Sequence, residues 1–189
     1  SWLRLAIELS FVCTLRRGEL LALTWDDINW EQNSLQISKT LCRVSKDAML
    51  LLEERDVLHV FPTDAHSRTV LVLKSPKTES SNRIVYLPPS LKCSLLEWQN
   101  EQKKSAIGEL PRLIFAYEDN RPLQGGVLTK HFQNLLEQCN LPKVTFHSLR
   151  HSSITYKLVL TGGDIKAVQG DSGHSQADMI TEIYGHILD

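Results

Sequence analysis

Four short segments of the chain carry the residue types that a reaction at a phosphate needs. They are Thr14-Leu15-Arg16-Arg17-Gly18-Glu19-Leu20, Lys74-Ser75-Pro76-Lys77-Thr78-Glu79, His147-Ser148-Leu149-Arg150-His151, and Ser172-Gly173-His174, which Tyr184 follows ten residues later. Arginine presents a rigid fork of N–H donors and never loses its charge, which suits the oxygens of a phosphate. A phosphodiester attacked without a metal gathers extra charge on those oxygens, and two arginines around it would offset that charge. Imidazole titrates near neutrality and can move a proton, an effect usually worth ~10²–10⁴-fold. A tyrosine phenol, with a pKa of about 10, needs an acceptor for its proton and cations near its anion before it attacks. His147 and Arg150 stand at i, i+3, so one helix face can present both.

Elements that the sequence also encodes must position these residues. Trp2–Leu15 places Leu5, Leu9 and Val12 at i, i+4 and i+7, the period of a largely buried helix. A second short helix is expected from Glu19 to about Trp25, among strong helix formers. The period then changes. Ser34–Ser38 alternates Leu35 and Ile37 with polar neighbours, Thr69–Leu73 is dense in leucine and β-branched residues, and Arg83–Leu87 is a further short run. These predict a small antiparallel sheet, with a turn over Lys77–Asn82 joining its last two strands. Cys42–Arg68 reads as an extended connection of mixed character, with Leu50–Arg55 open to a helix. After Pro88-Pro89 helices dominate: one capped by Ser90, one capped by Thr129 and stopped at Pro142, and one over His147–Leu160 capped by Thr145 and ended by Gly162-Gly163. Leu113–Ala116 is expected as a brief strand. Short helices should start at Asp164 and Ser175, with Tyr184 closing the last. The expected class is α+β, a mainly helical domain packed around a small antiparallel β-sheet.

The bulk composition bounds the function. With 189 residues, 42% hydrophobic and 23% charged, the chain suits one soluble domain with a sizeable core. No stretch is long and apolar enough to cross a bilayer, and no signal-peptide pattern is present, so a cytoplasmic location is expected. The net charge of −1 argues against a protein that merely coats nucleic acid, although a neutral total can hide a basic face. The four cysteines form no CxxC pair, and Cys13 and Cys139, on apolar helical faces, read as free buried thiols. His147 and His151 have the HxxxH spacing of some zinc sites. Ser148 stands where a metalloprotease motif requires glutamate, so no metal is expected there. Arg17 competes with Arg16, and Lys74 with Lys77. His151 reads as structural, His186 as a helix-end residue or a site-edge donor, and His59, His66 and His131 as surface residues.

Taken in order along nearly the whole chain, the four segments resemble the tyrosine recombinase (phage integrase) family. The closing stretch resembles the integrases of conjugative transposons and related phages. The resemblance implies the fold of DNA breaking-rejoining enzymes and a catalytic set of Arg16, Lys77, His147, Arg150, His174 and Tyr184. Its register favours Arg16 over Arg17 and Lys77 over Lys74. Tyr184 would be the nucleophile, Arg16, Arg150 and His174 the donors to nonbridging oxygens, His147 the aid to proton removal, and Lys77 the acid for the leaving 5′ hydroxyl. Glu19 would orient Arg16 or a neighbour rather than touch DNA, while Lys74 and Arg83 would contact DNA phosphates.

Further expectations come with the family. The reaction uses neither ATP nor a metal, and no cofactor. The partners are double-stranded DNA recombination sites, with a homotetramer forming on DNA and accessory directionality proteins as further candidates. Residues 1–189 would form a single catalytic domain from a longer chain, preceded there by a DNA-core-binding domain. Alone it is expected to be monomeric, since only five residues follow Tyr184. Cys42–Arg68 exceeds the short turn common in the family and is a candidate contact with DNA or a neighbouring protomer. Two rivals come from other classes: a type IB topoisomerase, which uses similar chemistry on one duplex, and a catalytically silent DNA-binding module, which would keep the fold and lose the chemistry. The complete residue set argues against the second.

Overall fold

A computed structural model describes residues 1–51, 56–63, 66–76, 81–108 and 112–173. It opens with helix α1 (Trp2–Val12), which buries Leu5, Ala6, Leu9 and Ser10 and pairs Arg4 with Glu8 at 2.8 Å on its outer side. Helix α2 (Arg17–Ala22) follows, then a 3₁₀ turn (Trp25–Asp27). The Asp27 carboxylate caps that turn, accepting from the Thr24 amide at 2.8 Å and its hydroxyl at 2.7 Å.

Two three-stranded antiparallel sheets stand where one was expected. The first has the order β1 (Ile28–Asn29), β2 (Ser34–Ile37), β6 (Arg83–Tyr86). The second has β5 (Thr69–Lys74) between β3 (Thr40–Ser45) and β4 (Val57–Phe61). The strands flanking the expected turn therefore do not pair with each other; Lys74 faces Thr40 and Arg83 faces Ile37. The two strands also differ in burial. Val70 to Leu73 are all buried, as suits a strand covered on both faces. β6 buries alternate residues only, as suits a strand with one covered face. Part of Cys42–Arg68 is thus sheet, in β3 and β4, with a short helix α3 (Lys46–Met49) after β3; Leu50 and Leu51 follow it as a turn, and 52–55 lie outside the described residues.

The helical remainder departs from expectation in its boundaries. α4 (Pro89–Ser105) starts after Pro88, one residue before Ser90. α5 (Gly125–Gln138) starts well before Thr129, whose hydroxyl bonds back to the Gly125 carbonyl at 2.9 Å inside the helix. Cys139 caps its C-terminus and is exposed, so that thiol is not buried; Cys13 is, and all four cysteines are free. Leu113 and Ala116 make isolated bridges to Thr24 and Pro122 instead of a strand. α6 (Ser148–Leu160) and α7 (Ile165–Ser172) complete the described chain, α7 capped by Asp164, which accepts from the Ala167 amide at 3.0 Å. Leu9, Leu20, Leu35, Leu87, Leu95, Ile114, Leu128 and Phe146 belong to one core. Ile154, Leu158 and Val168 form a second, small cluster between α6 and α7.

The turn between α1 and α2 positions the site. The Leu15 amide donates to the Ser10 carbonyl at 3.1 Å, the six-to-one bond that closes a helix when the residue before it is left-handed. That residue is Thr14, with φ of 52° and no exposed surface. Glycine ordinarily fills such a position, and a β-branched residue there strains the backbone by ~1–3 kcal/mol. The Thr14 hydroxyl shares a hydrogen bond with Ser153 at 2.9 Å and accepts from Lys157 at 2.7 Å. Thr14→Val keeps the strain and abandons both polar partners, so it should destabilise by about 1–3 kcal/mol. Thr14→Gly loses the same bonds but relieves the strain, and should cost less. Urea unfolding of the two variants checks that order; a valine variant as stable as the wild type would mean the hydroxyl contributes nothing.

Candidate active site

Arg16 stands at the N-cap position of α2, in extended backbone, immediately after the strained turn. Its amide donates to Glu19 Oε2 at 2.9 Å, and Nη1 donates to Glu19 Oε1 at 2.8 Å. Nη2 reaches across 157 residues of sequence to the Gly173 carbonyl, at 3.3 Å. Arg150, on the first turn of α6, points to the same place. Nη2 donates to the Ser172 carbonyl at 2.7 Å, and Nη1 donates to the Thr14 carbonyl. Both guanidiniums therefore meet the carbonyl end of α7, where a helix is partially negative and favours cations. Arg150 is 2% exposed, whereas the Arg16 side chain is 38% exposed.

Arg17 turns the other way. It donates to Thr129 Oγ1 at 3.2 Å and lies against Gly125, where a methyl would come within 3.1 Å of its Nε. Gly18 explains how the second sheet approaches. A methyl at position 18 would sit 2.5 Å from Thr40 Oγ1 and 3.1 Å from the Leu41 carbonyl. Thr40 is the β3 partner of Lys74, so the half-buried Lys74 ends its strand close to the start of α2.

His147 occupies the N-cap position of α6 without making a side-chain cap. Its ring meets that of His151 edge-on, with centroids 4.7 Å apart. Loss of hydration, then the charges of His151, Arg150, Arg16 and Arg17, hold its imidazole below the ordinary value of 6.5. The ring is thus mostly neutral at neutral pH and able to accept a proton. Among the described residues, no group of three or more His, Cys, Asp or Glu side chains is arranged to hold a metal.

Arg83 departs from what the sequence suggested. Glu19 does bond Arg16, but it is buried, and it also accepts from Arg83 Nη2 at 3.0 Å and Nη1 at 3.4 Å. Arg83 is 7% exposed and also donates to the Thr14 carbonyl at 3.4 Å. It is not a surface contact for DNA phosphate. Its place on the inward face of β6 makes it the buried counter-charge of Glu19. Thr14, Ser153 and Lys157 were also missed, although Arg150, Ser153 and Lys157 share one face of α6 at i, i+3 and i+7. Lys77, His174 and Tyr184 lie outside the described residues.

The model of the phage integrase family matches residues 1–189. The chain belongs to the phage integrase family. It is 27% identical over 188 residues to a tyrosine recombinase XerC-like protein of Caldanaerobacter subterraneus subsp. tengcongensis, covering 95% of this chain and 44% of that protein. It is 26% identical over 184 residues to the ICEBs1 integrase of Bacillus subtilis, covering 94% and 43%. The Tn1549 transposon integrase, solved in complex with transposon right end DNA, has the same fold at a TM-score of 0.73 and 22% identity, covering 95% of this chain and 53% of that one. The chain thus spans about half the length of its relatives or less.

Burial would raise the Glu19 pKa, but Arg83, by charge and hydrogen bond, and then Arg16 outweigh it and hold the carboxyl below its ordinary range. Between its folded and unfolded values the folded state therefore binds fewer protons than the unfolded. The stabilisation is complete above the unfolded value, about 4.3, and disappears as pH falls through the folded one. Glu19→Gln should cost about 3 kcal/mol or more at neutral pH, because it leaves the buried Arg83 charge uncompensated. The gap from wild type should close in acid. Urea unfolding of both proteins across a pH series measures it, and a gap independent of pH would remove the charge argument.

Proposed function

We propose that this chain is the catalytic unit of a site-specific DNA recombinase that integrates and excises a prophage or other mobile element. The observation that carries this reading is the meeting of Arg16 and Arg150 at the carbonyl end of α7, within a chain the family model matches end to end. Two permanent cations, Arg150 buried and Arg16 partly exposed, suit the charge that a phosphate gathers when attacked. Arg16 is the second of them rather than Arg17, because Arg17 turns toward α5.

The Tyr184 phenolate oxygen attacks the scissile phosphorus, forming a 3′ phosphotyrosine as the bond to the 5′ oxygen breaks. The phenol proton passes to the neutral His147, and Lys77 protonates the departing 5′ oxygen. His174, next in sequence after Gly173, supplies a third donor to the nonbridging oxygens. A 5′ hydroxyl from a partner duplex then attacks the phosphotyrosine phosphorus, giving its proton to the now neutral Lys77, as the bond to the Tyr184 oxygen breaks and the phenolate recovers its proton from His147. The phosphotyrosyl bond conserves the energy, so neither ATP nor a metal is needed. Lys74 serves as a phosphate contact beside the strand end. Residues 1–189 act as one domain of a longer chain with a DNA-core-binding domain before it, in the cytoplasm. That chain assembles as a homotetramer on two recombination sites, with directionality proteins as accessory partners, whereas residues 1–189 alone are monomeric.

Tyr184→Phe should bind DNA nearly as wild type and form no covalent adduct, since it removes the nucleophile and little else. Trapping on nicked duplexes from the element's ends, with peptide mapping of the adduct, measures this. An adduct on Tyr117 or Tyr156 would refute the assignment. A sulfur in place of the bridging 5′ oxygen leaves without a proton and separates the lysines. Lys77→Ala should cleave ordinary DNA ~10²–10⁴-fold slowly and sulfur-substituted DNA near the wild-type rate. Arg150→Ala should stay defective on both. Rescue of Lys74→Ala instead would make Lys74 the acid.

A further inference from the structure

Three residues of one α6 face all bond to the turn that ends α1. Arg150 donates to the Thr14 carbonyl, Ser153 shares a hydrogen bond with the Thr14 hydroxyl at 2.9 Å, and Lys157 Nζ donates to that hydroxyl at 2.7 Å and to the Val12 carbonyl at 2.8 Å. The Val12 carbonyl belongs to the last turn of α1, where a helix lacks partners and favours a cation. Lys157 thus binds both sides of Cys13 with one ammonium. The turn it grips leads through Leu15 directly into Arg16, and its Thr14 carbonyl is the acceptor that holds Arg150. Any rotation of this turn moves the base of one guanidinium and the acceptor of the other together.

We propose that Lys157 is a positioning residue, which through the Val12–Thr14 turn sets where Arg16 and Arg150 stand relative to each other. Its consequence for catalysis rests on the recombinase reading above. Apolar contacts alone would leave this geometry loosely defined, because α6 also packs on a cluster of its own with α7. Ammonium bonds to a carbonyl and a hydroxyl on either side of Cys13 define both a distance and an orientation. Arginine can make the same donations at position 157, and methionine keeps the length of the side chain without them.

The test uses the full-length protein with Lys157→Met, Lys157→Arg and Ser153→Ala. The first measurement needs no DNA: the guanidinium Nε–H resonances of Arg16 and Arg150, assigned with Arg→Lys variants. Lys157→Met should shift both resonances, Ser153→Ala should shift them less in the same direction, and Lys157→Arg should restore them nearly to wild type. Unmoved resonances in folded Lys157→Met, or in Ser153→Ala should the first variant not fold, would overturn the proposal. The second measurement is single-turnover cleavage at saturating concentration, on the duplex that traps the wild-type protein. Lys157→Met should lower the rate constant by up to ~10²-fold, with DNA affinity within about twofold of wild type. A methylphosphonate at the scissile position removes one nonbridging charge. It should narrow the Lys157→Met deficit as it narrows that of Arg150→Ala. A deficit equal on both substrates, or confined to the fraction of active protein, would reduce Lys157 to a stability residue. If the wild-type protein forms no adduct with any duplex, the recombinase reading fails, while the resonances still decide whether Lys157 positions the two arginines.

Discussion

The carbonyl and hydroxyl of Thr14 are where the site is held together. Arg83 and Arg150 both donate to the carbonyl, and Ser153 and Lys157 both engage the hydroxyl. Arg16 begins two residues later. The three other non-glycine residues with positive φ among those described are asparagines, which tolerate that conformation through their short polar side chains. Thr14 has no such tolerance. A glycine would close the helix with less strain, yet it has no hydroxyl for α6 to bind. The strain and the anchoring are two consequences of one residue choice.

Around that point the chain concentrates positive charge that its total conceals. The net charge is −1, but Arg16, Arg17 and Arg150 all act on His147. Glu19 makes this arrangement stable without cancelling it. Its buried carboxylate satisfies Arg83 and one edge of Arg16, so a single negative charge is shared between two positive ones. Removing Arg83 would leave Glu19 with Arg16 alone, and the acid would then neutralise more of the charge that the site presents. A residue remote from the reacting phosphate in this reading therefore governs how positive its surroundings are.

Arg16, His147 and Arg150 could be grouped from the sequence because their chemistry is unusual and their order is long-range, and the fold brings the two arginines to one helix end; His174 and Tyr184 lie outside the described residues. The α+β class followed from the change of period near Ser34. Pairing between strands did not follow, because it joins backbone edges distant in sequence, and a run of buried side chains does not name the strand that will lie beside it. The run from Val70 to Leu73 signalled burial, but a sequence with unassigned partners gave no sign that β3 and β4, rather than β6, would flank it. Arg83 failed for a related reason. A basic residue at the start of a short strand resembles a phosphate contact until its inward register and its acid 64 residues earlier are known. Caps were misplaced by a few residues at α4 and α5, where serine and threonine hydroxyls serve inside the helix or not at all.

The arrangement of cores gives these polar contacts their weight. Arg16 belongs to a body whose apolar cluster runs from α1 through β2, α4 and α5 to Phe146. Arg150 sits at the start of α6, which continues past that cluster onto its own small one with α7. Leu149, packed on the main core, and the 5.9 Å contact between the Phe11 and Tyr156 rings bring α6 against the main body. Such contacts are nondirectional and permit small sliding of one helix along another. A phosphate held between two arginines does not permit it, since a hydrogen bond weakens steeply outside a narrow range of distance and angle. The ladder of Arg150, Ser153 and Lys157 on a single turn converts approximate packing into a defined geometry, at the boundary where the two clusters meet.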